Sequence, residues 1–242
     1  MTEALLKVDR VSKHFGGFTA LSEVCIDVAQ GERFGLIGPN GSGKTTLINC
    51  VAGSLRNDGG SIRFSGEEIS GIPAYQRTRR GIARTFQIPR PFSSMPVIEN
   101  LLVPLEYVAH RGPPLSADTR AQAMAILETI GLADKSETPS NRLSQVELRK
   151  LELARAMAAR PRLLISDEAM AGLAPNEVEE VLDILFKLNE SGITIIMIEH
   201  IMRAVMKFSQ RLVVLVSGKK IADGKPDVVI RDPEVEKAYL GQ

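Results

Sequence analysis

Cysteine is scarce in this chain of 242 residues, which contains only Cys25 and Cys50. Both cysteines lie in apolar segments, and neither has a second metal ligand near it in the sequence. This pattern is typical of small core residues in a reducing compartment such as the cytoplasm, so we expect neither a disulfide bond nor a metal site built on cysteine.

The chain also lacks an excess of charge and any long apolar run. Its 30 Lys and Arg residues nearly balance its 29 Asp and Glu residues, and the formal net charge is +1. General nucleic-acid binders carry a basic excess, so we expect no nucleic-acid partner. The longest apolar runs, such as 195–198 and 212–216, have the length of a strand, and no secretory pattern opens the chain. We therefore expect a protein that does not itself cross a membrane.

What the sequence does contain is a complete phosphate-binding loop at residues 38–45, in which four residues separate two glycines and Lys44 and Thr45 follow. Residues 33–37 predict a buried strand and residues 44–52 a helix, and this context argues against a chance glycine-rich turn. Backbone N–H groups of such a loop surround an anion. We expect Lys44 to contact the β- and γ-phosphates and Thr45 to bind Mg²⁺. The predicted nucleotide contacts are Gly38, Pro39, Asn40, Gly41, Ser42, Gly43, Lys44, Thr45 and Thr46.

Polar residues at strand ends supply the groups expected to act on the nucleotide. A buried strand that follows Pro161 presents Asp167 and Glu168 at its carboxyl end, where open α/β sheets bind ligands. We expect Asp167 to hold Mg²⁺ and Glu168 to polarise the attacking water. His200 follows the next buried strand, and its predicted role is a hydrogen bond to the γ-phosphate, with a structural role as the alternative. Gln87 ends a short strand and is expected to bind Mg²⁺ and to orient the water.

Two further features have less specific interpretations. Phe15 lies in an aromatic turn ahead of the phosphate loop, where it is either a platform on which adenine stacks or an ordinary core residue. A basic run follows the phosphate-loop helix, and a solvated helix face is favoured over a surface for an acidic partner. This run consists of Arg77, Arg79, Arg80 and Arg84.

The order of the predicted elements indicates an α/β fold with a helical insertion. Alternation near the start of the chain indicates an antiparallel β-layer. Residues 88–160 begin with several prolines and continue with helical periodicity over 117–130 and 147–159. We predict a single domain, in which residues 1–87 and 161–242 form the nucleotide-binding core and residues 88–160 form a helical subdomain.

Phe15, the phosphate loop, Gln87, the Asp167-Glu168 pair and His200 follow one another around a helical insertion. In this order they resemble the ATP-binding subunit of ABC transporters over essentially the whole chain. Three segments are similar to those of ATPases from importers for branched-chain amino acids and from their relatives for urea, amides and hydrophobic carboxylates. These segments are residues 81–87, 198–200 and 238–241.

The resemblance implies a P-loop NTPase core with a mixed sheet, an antiparallel β subdomain and an inserted α-helical subdomain. It also implies hydrolysis of Mg-ATP that drives transmembrane permease subunits, with a solute-binding protein as an indirect partner. The location implied is peripheral, on the cytoplasmic face of the inner membrane. A dimer is implied as well, in which each ATP lies between the phosphate loop of one subunit and the signature motif of the other.

The signature motif departs from the family pattern. Residues 143–147 read Leu-Ser-Gln-Val-Glu where the family has Leu-Ser-Gly-Gly-Gln, so Ser144 remains as an implied nucleotide contact. Val146 adds a branched side chain and Glu147 adds a negative charge, and both changes weaken binding of the γ-phosphate. The same segment also predicts a capping box that starts a helix.

Because relatives often pair two different ATPases, our hypothesis is a heterodimer with a partner whose signature is intact, and a homodimer is the alternative. Two further alternatives are a non-transport ABC ATPase and a nucleotide-binding subunit with little hydrolysis of its own.

Overall fold

Two β-sheets with surrounding helices form the framework of the protein. The computed structural model describes residues 4–86, 89–109 and 117–240. The strands are β1 (Ala4–Phe15), β2 (Phe18–Ala29), β3 (Arg33–Ile37), β4 (Gly59–Phe64), β5 (Glu67–Glu68), β6 (Ile82–Arg84), β7 (Leu163–Asp167), β8 (Thr194–Ile198), β9 (Arg211–Val216) and β10 (Lys219–Gly224). The α-helices are α1 (Lys44–Ala52), α2 (Ala74–Arg79), α3 (Val97–Pro104), α4 (Ala117–Ile130), α5 (Gln145–Ala158), α6 (Pro175–Glu190), α7 (Met202–Phe208), α8 (Pro226–Val229) and α9 (Pro233–Leu240). Within these ranges, no helix is both long and apolar enough to span a bilayer.

The two sheets have different topologies. The smaller sheet has the order β2-β1-β4-β5 and is antiparallel. The larger sheet has the order β10-β9-β3-β8-β7-β6, in which every pairing is parallel except that between β9 and β10. These observations confirm the predicted mixed sheet and the predicted antiparallel layer.

The central strands of the larger sheet are buried on both faces. Along β8, Ile195 and Met197 belong to one apolar cluster, which includes residues of α3 to α7. Ile196 and Ile198 point the other way, into a second cluster with α1 and the antiparallel sheet. Because side chains alternate between the faces of a strand, a strand covered on both sides is apolar at every position. This arrangement explains the uninterrupted apolar runs in the sequence.

The helices between β6 and β7 pack mainly against one another. α3, α4 and α5 contact each other in all three pairings. The helix predicted at residues 117–130 has those bounds, and the helix predicted at residues 147–159 runs from Gln145 to Ala158. A π-helical turn, Leu105–Ala109, continues α3, where Pro104 at the helix end cannot donate a backbone hydrogen bond.

The prediction that both cysteines are core residues is wrong for Cys25. Cys50 is buried in α1, whereas Cys25 is exposed on β2. Val24 and Ile26 fill the core face of β2, so the residue between them points to solvent. The Cys25 thiol accepts a hydrogen bond from the backbone N–H of Arg10 at 3.2 Å.

The prediction of a solvated basic face is wrong for Arg77 and Arg84. Arg79 and Arg80 are exposed, but Arg77 is 1% exposed, and Arg84 forms a largely buried ion pair. The Arg77 guanidinium donates to four backbone carbonyl oxygens, those of Cys50 at 2.5 Å, Val51 at 2.8 Å, Ile72 at 2.7 Å and Ser70 at 3.0 Å. Because Cys50 and Val51 belong to the last turn of α1, the positive charge lies at the negative end of the helix dipole.

Replacement of Arg77 by methionine is expected to destabilise the protein by about 3 kcal/mol. The substitution keeps most of the apolar stem but leaves four carbonyl groups without their donor, and an unsatisfied buried polar group costs about 1–3 kcal/mol. Urea unfolding of Arg77→Met is the measurement. Arg79→Met, at an exposed position of the same helix, is the matched control and should change the free energy of unfolding by less than about 0.5 kcal/mol. Equal effects of the two substitutions would contradict this role for Arg77.

Candidate nucleotide-binding site

The phosphate-binding loop joins β3 to α1, as predicted. Its first glycine, Gly38, has φ +154°, and a Cβ atom there would lie 2.1 Å from the carbonyl oxygen of Leu215. Gly43 has φ +102°, and a Cβ atom there would lie 2.7 Å from the carbonyl oxygen of Ala20. Any larger residue would therefore push the loop away from its neighbours at both points.

Lys44 folds back over this loop. Its ammonium group donates to the carbonyl oxygens of Gly38 at 2.7 Å and Pro39 at 3.0 Å. Burial lowers the pKa of Lys44, while the carboxylates of Glu168 and Asp167 act in the opposite direction. A buried cation next to the backbone N–H groups of a helix N-terminus is a donor set that fits a chain of phosphates.

A cavity of about 240 Å³ brings most of the predicted site residues together. One wall is the phosphate loop with the first turn of α1, a second wall is Glu168 with His200, and a third is the aromatic turn between β1 and β2. Phe15 is 50% exposed there, so the alternative of a core phenylalanine is wrong. Phe18, on the other side of the turn, also lines the cavity and was missed, although the two aromatic residues flank the same Gly-Gly pair in the sequence.

The acidic strand end lies next to this cavity. Asp167 is the last residue of β7 and is 5% exposed, and its carboxylate accepts a hydrogen bond from Arg84 at 2.6 Å. Glu168 has φ +49°, an uncommon conformation for a residue other than glycine. Its backbone N–H donates to the carbonyl oxygen of Ile198 at 2.8 Å, and its carboxylate lies 3.1 Å from Nε2 of His200. The two strand ends therefore converge on one group of side chains, as the sequence predicts.

Oxygen donors suited to magnesium occur in the cavity wall and in the acidic strand end beside it. Thr45 offers a hydroxyl group and Asp167 a carboxylate, and Mg²⁺ prefers such hard oxygen ligands. The donor set therefore fits a magnesium-bound nucleotide. Gln87 lies outside the described residues, so its place in this set stays a prediction.

Comparison with known proteins agrees with this geometry. A family model described as ABC transporter matches residues 21–171, and one described as branched-chain amino acid ATP-binding cassette transporter matches residues 219–242. The chain belongs to the ABC transporter family. It is similar to the high-affinity branched-chain amino acid transport ATP-binding proteins BraF of Pseudomonas aeruginosa and LivG of Escherichia coli, each 37% identical over the full length of both proteins.

Solved structures of ABC cassettes have the same fold. A nucleotide-free ATP-binding cassette from an ABC transporter superposes with a TM-score of 0.90 at 32% identity, covering 99% of this chain and 100% of that one. An ATP-binding cassette in its ADP conformation superposes with a TM-score of 0.90 at 33% identity, covering 99% of both chains. The α/β fold of a P-loop NTPase is thereby confirmed, with its mixed sheet, antiparallel β-layer and helices.

The altered ABC signature segment forms the predicted capping box. Ser144 is the N-cap of α5. The backbone N–H of Glu147 donates to the Ser144 hydroxyl at 3.4 Å, and the backbone N–H of Ser144 donates to the Glu147 carboxylate at 2.8 Å. Lys135 donates a further hydrogen bond to that carboxylate. Burial acts to raise the pKa of Glu147, but the bonds from Lys135 and Ser144 outweigh it and hold the pKa below its usual value.

Ser144 is not among the described residues that line the cavity of its own chain. Val146 is half-buried and packs against the apolar cluster of the helices. The branched side chain of Val146 therefore has a packing role, and the negative charge of Glu147 is paired with Lys135.

Glu199 is a buried acid that was not predicted from the sequence. Its position gives a signal similar to that of Asp167, because Glu199 directly follows β8 and Asp167 is the last residue of β7. Glu199 is 2% exposed and accepts a hydrogen bond from the backbone N–H of Met170 at 2.9 Å. Burial raises the pKa of Glu199 to about 7, and the negative charge on Glu168 adds to this rise. The hydrogen bond from Met170 and the positive charge on Arg149 act in the opposite direction. Glu199 thereby ties the end of β8 to the segment that follows Glu168.

The raised pKa of Glu199 predicts a specific dependence of stability on pH. Between pH 4.5 and 7 the folded protein keeps a proton that the unfolded chain releases, so this residue lowers the free energy of unfolding as pH rises. Glu199→Gln does not titrate, and its stability relative to wild type should increase by on the order of 3 kcal/mol from pH 4.5 to pH 8. Urea unfolding across this pH range is the measurement, with Glu190→Gln, at an exposed position in α6, as control. Parallel stability curves for wild type and Glu199→Gln would contradict the assignment.

Proposed function

We propose that this chain is the subunit that binds and hydrolyses ATP to energise an importer of branched-chain amino acids or related small solutes. One observation carries the proposal: the phosphate loop, the aromatic turn, Glu168 and His200 line a single cavity. The full-length similarity to branched-chain amino acid transport ATP-binding proteins supports the choice of solute class.

Different residues around the cavity are proposed to bind the adenine base, the phosphates and the metal ion. Phe15 and Phe18 present exposed rings at one end, where adenine can stack on them. Lys44 and the backbone N–H groups of the loop bind the phosphates in this proposal, and Thr45, Asp167 and Gln87 would hold Mg²⁺. The metal would supply positive charge that offsets the negative charge of the phosphates.

Glu168 polarises the attacking water in this proposal. His200 is proposed to hydrogen-bond the γ-phosphate, and its Nε2 lies 3.1 Å from the carboxylate of Glu168, beside the group that polarises the water. The backbone N–H of Glu168 is bonded to Ile198 at the end of β8, so the sheet fixes the position of the backbone from which this side chain extends.

The permease is proposed to dock beside the segment from Gln87 to Asn100, on the helical subdomain of residues 88–160. A second cavity, of about 380 Å³, lies there between α1, α2 and β6 on one side and α3 and α5 on the other. Phe86, Phe92 and Tyr107 line it and are exposed. An apolar concave surface with aromatic residues suits a helix of a partner protein. This docking places the chain on the cytoplasmic face of the membrane, with the solute-binding protein as an indirect partner.

A second ATPase subunit completes the proposed assembly. Ser144 of each subunit is proposed to face the nucleotide of the other, because the N-terminus of α5 attracts an anion. The pairing of Glu147 with Lys135 and the packing of Val146 argue for a partner with an intact signature. A second copy of this chain is the alternative.

ATP hydrolysis by the chain co-expressed with its permease tests the proposal. Glu168→Gln should reduce turnover by about 10²- to 10⁴-fold, because it removes the group that activates water while leaving the phosphate contacts intact. Nucleotide affinity should stay within about threefold of wild type. Glu190→Gln serves as control and should hydrolyse ATP at the wild-type rate. A wild-type rate no higher than that of Glu168→Gln would identify instead a subunit that binds ATP with little hydrolysis.

The same assay tests whether the altered signature motif slows hydrolysis at one of the two nucleotide sites of the dimer. Val146→Gly combined with Glu147→Gln restores the family residues at these positions, and Gln at the third helical position still supports the capping box. The double substitution should increase turnover in both the homodimer and the heterodimer. An unchanged rate in both assemblies would eliminate the idea that the altered signature slows one site.

A further inference from the structure

Arg84 joins three structural elements around the proposed magnesium ligands. It is the last residue of β6, and its side chain is 12% exposed. One Nη atom donates to Oδ2 of Asp167 in β7 at 2.6 Å, and the other donates to Oδ1 of Asn49 in α1 at 2.5 Å. The guanidinium also lies 5.7 Å from the ring centre of Phe86. We call Asn49, Arg84 and Asp167 the Arg84 bridge.

Through Asn49 the Arg84 bridge is linked to the helix that carries Thr45. Asn49 follows Thr45 by four residues, so the two side chains lie on the same face of the helix, one turn apart. The bonds of Arg84 to Asn49 and to Asp167 therefore also restrain the rotation of α1, and with it the position of Thr45 relative to Asp167. Thr45 and Asp167 are the two described residues to which magnesium binding is assigned above.

The chemistry of arginine suits such a bridge. Its guanidinium is planar and rigid, so its two Nη groups can bind two oxygen atoms at a fixed separation. A lysine has the same charge on a flexible stem and cannot reproduce this geometry. Mg²⁺ accepts only a narrow range of ligand distances, so a small displacement of Thr45 relative to Asp167 weakens its binding.

We propose that Arg84 is a positioning residue that sets the separation of Thr45 and Asp167 for the magnesium ion of Mg-ATP. The proposal rests on the proposed function, because it concerns the same nucleotide site. It assigns to Arg84 a role in the magnesium-dependent part of nucleotide binding and none in the contacts made by the phosphate loop alone.

Equilibrium binding of a fluorescent ATP analogue, with Mg²⁺ and with EDTA, separates these two parts. The factor by which Mg²⁺ increases affinity is measured for wild type, Arg84→Lys and Asn49→Ala. Both substitutions should reduce this factor about tenfold and should leave the affinity in EDTA within about twofold of wild type. Asn49→Ala keeps the buried ion pair of Arg84 with Asp167, so it tests the bridge in a protein whose fold is preserved. Arg203→Lys, at an exposed ion pair with Glu179, is the matched control and should behave as wild type.

Three results would overturn the proposal while leaving the proposed function intact. A wild-type magnesium factor in Arg84→Lys would show that charge alone suffices, and equal losses with Mg²⁺ and with EDTA would show a general structural role. A larger magnesium factor in Arg84→Lys than in wild type would show that Arg84 competes with the metal for Asp167. Wild-type protein that binds no nucleotide in either condition would overturn the proposed function as well, so the two failures are distinguishable.

Discussion

The close approach of the phosphate loop to two backbone carbonyl groups is the constraint on which the rest of the site depends. Gly38 lies against Leu215 in β9 of the larger sheet, and Gly43 lies against Ala20 in β2 of the smaller sheet. The loop therefore connects the two sheets at the point where α1 begins. The same contact brings the aromatic turn between β1 and β2 to the loop, and thereby forms the third wall of the cavity.

Charged side chains around this loop are arranged in pairs across different elements. Asp167 forms an ion pair with Arg84, the carboxylate of Glu168 lies 3.1 Å from Nε2 of His200, and the ammonium of Lys44 donates to carbonyl oxygens of its own loop. Since an isolated buried charge costs several kcal/mol, these pairs allow a dense group of ionisable residues to exist beside an apolar core. Burial raises the pKa of Glu199, because the bond from the Met170 backbone N–H and the charge on Arg149 offset only part of the cost of burying its charge.

Local signals in the sequence were sufficient for the framework and for most of the cavity. The phosphate loop is recognised from its own spacing, and Asp167, Glu168 and His200 are recognised because each follows or ends an apolar run. The predictions for Cys25, Arg77 and Arg84 failed, because the burial of each side chain depends on neighbours distant in the sequence. Arg77 is buried by carbonyl groups of α1, and Arg84 by Asn49 and Asp167, and no periodicity within residues 77–84 reveals those partners.

Calorimetric titration of the purified chain with Mg-ATP tests most directly whether the loop and the acidic strand end form one triphosphate site. Wild-type protein is predicted to bind one nucleotide per chain with saturable heat, and Lys44→Ala is predicted to weaken binding at least tenfold, because it removes the cation that contacts the β- and γ-phosphates. Absence of heat with the wild-type protein, or equal affinities of the two proteins, would contradict this account.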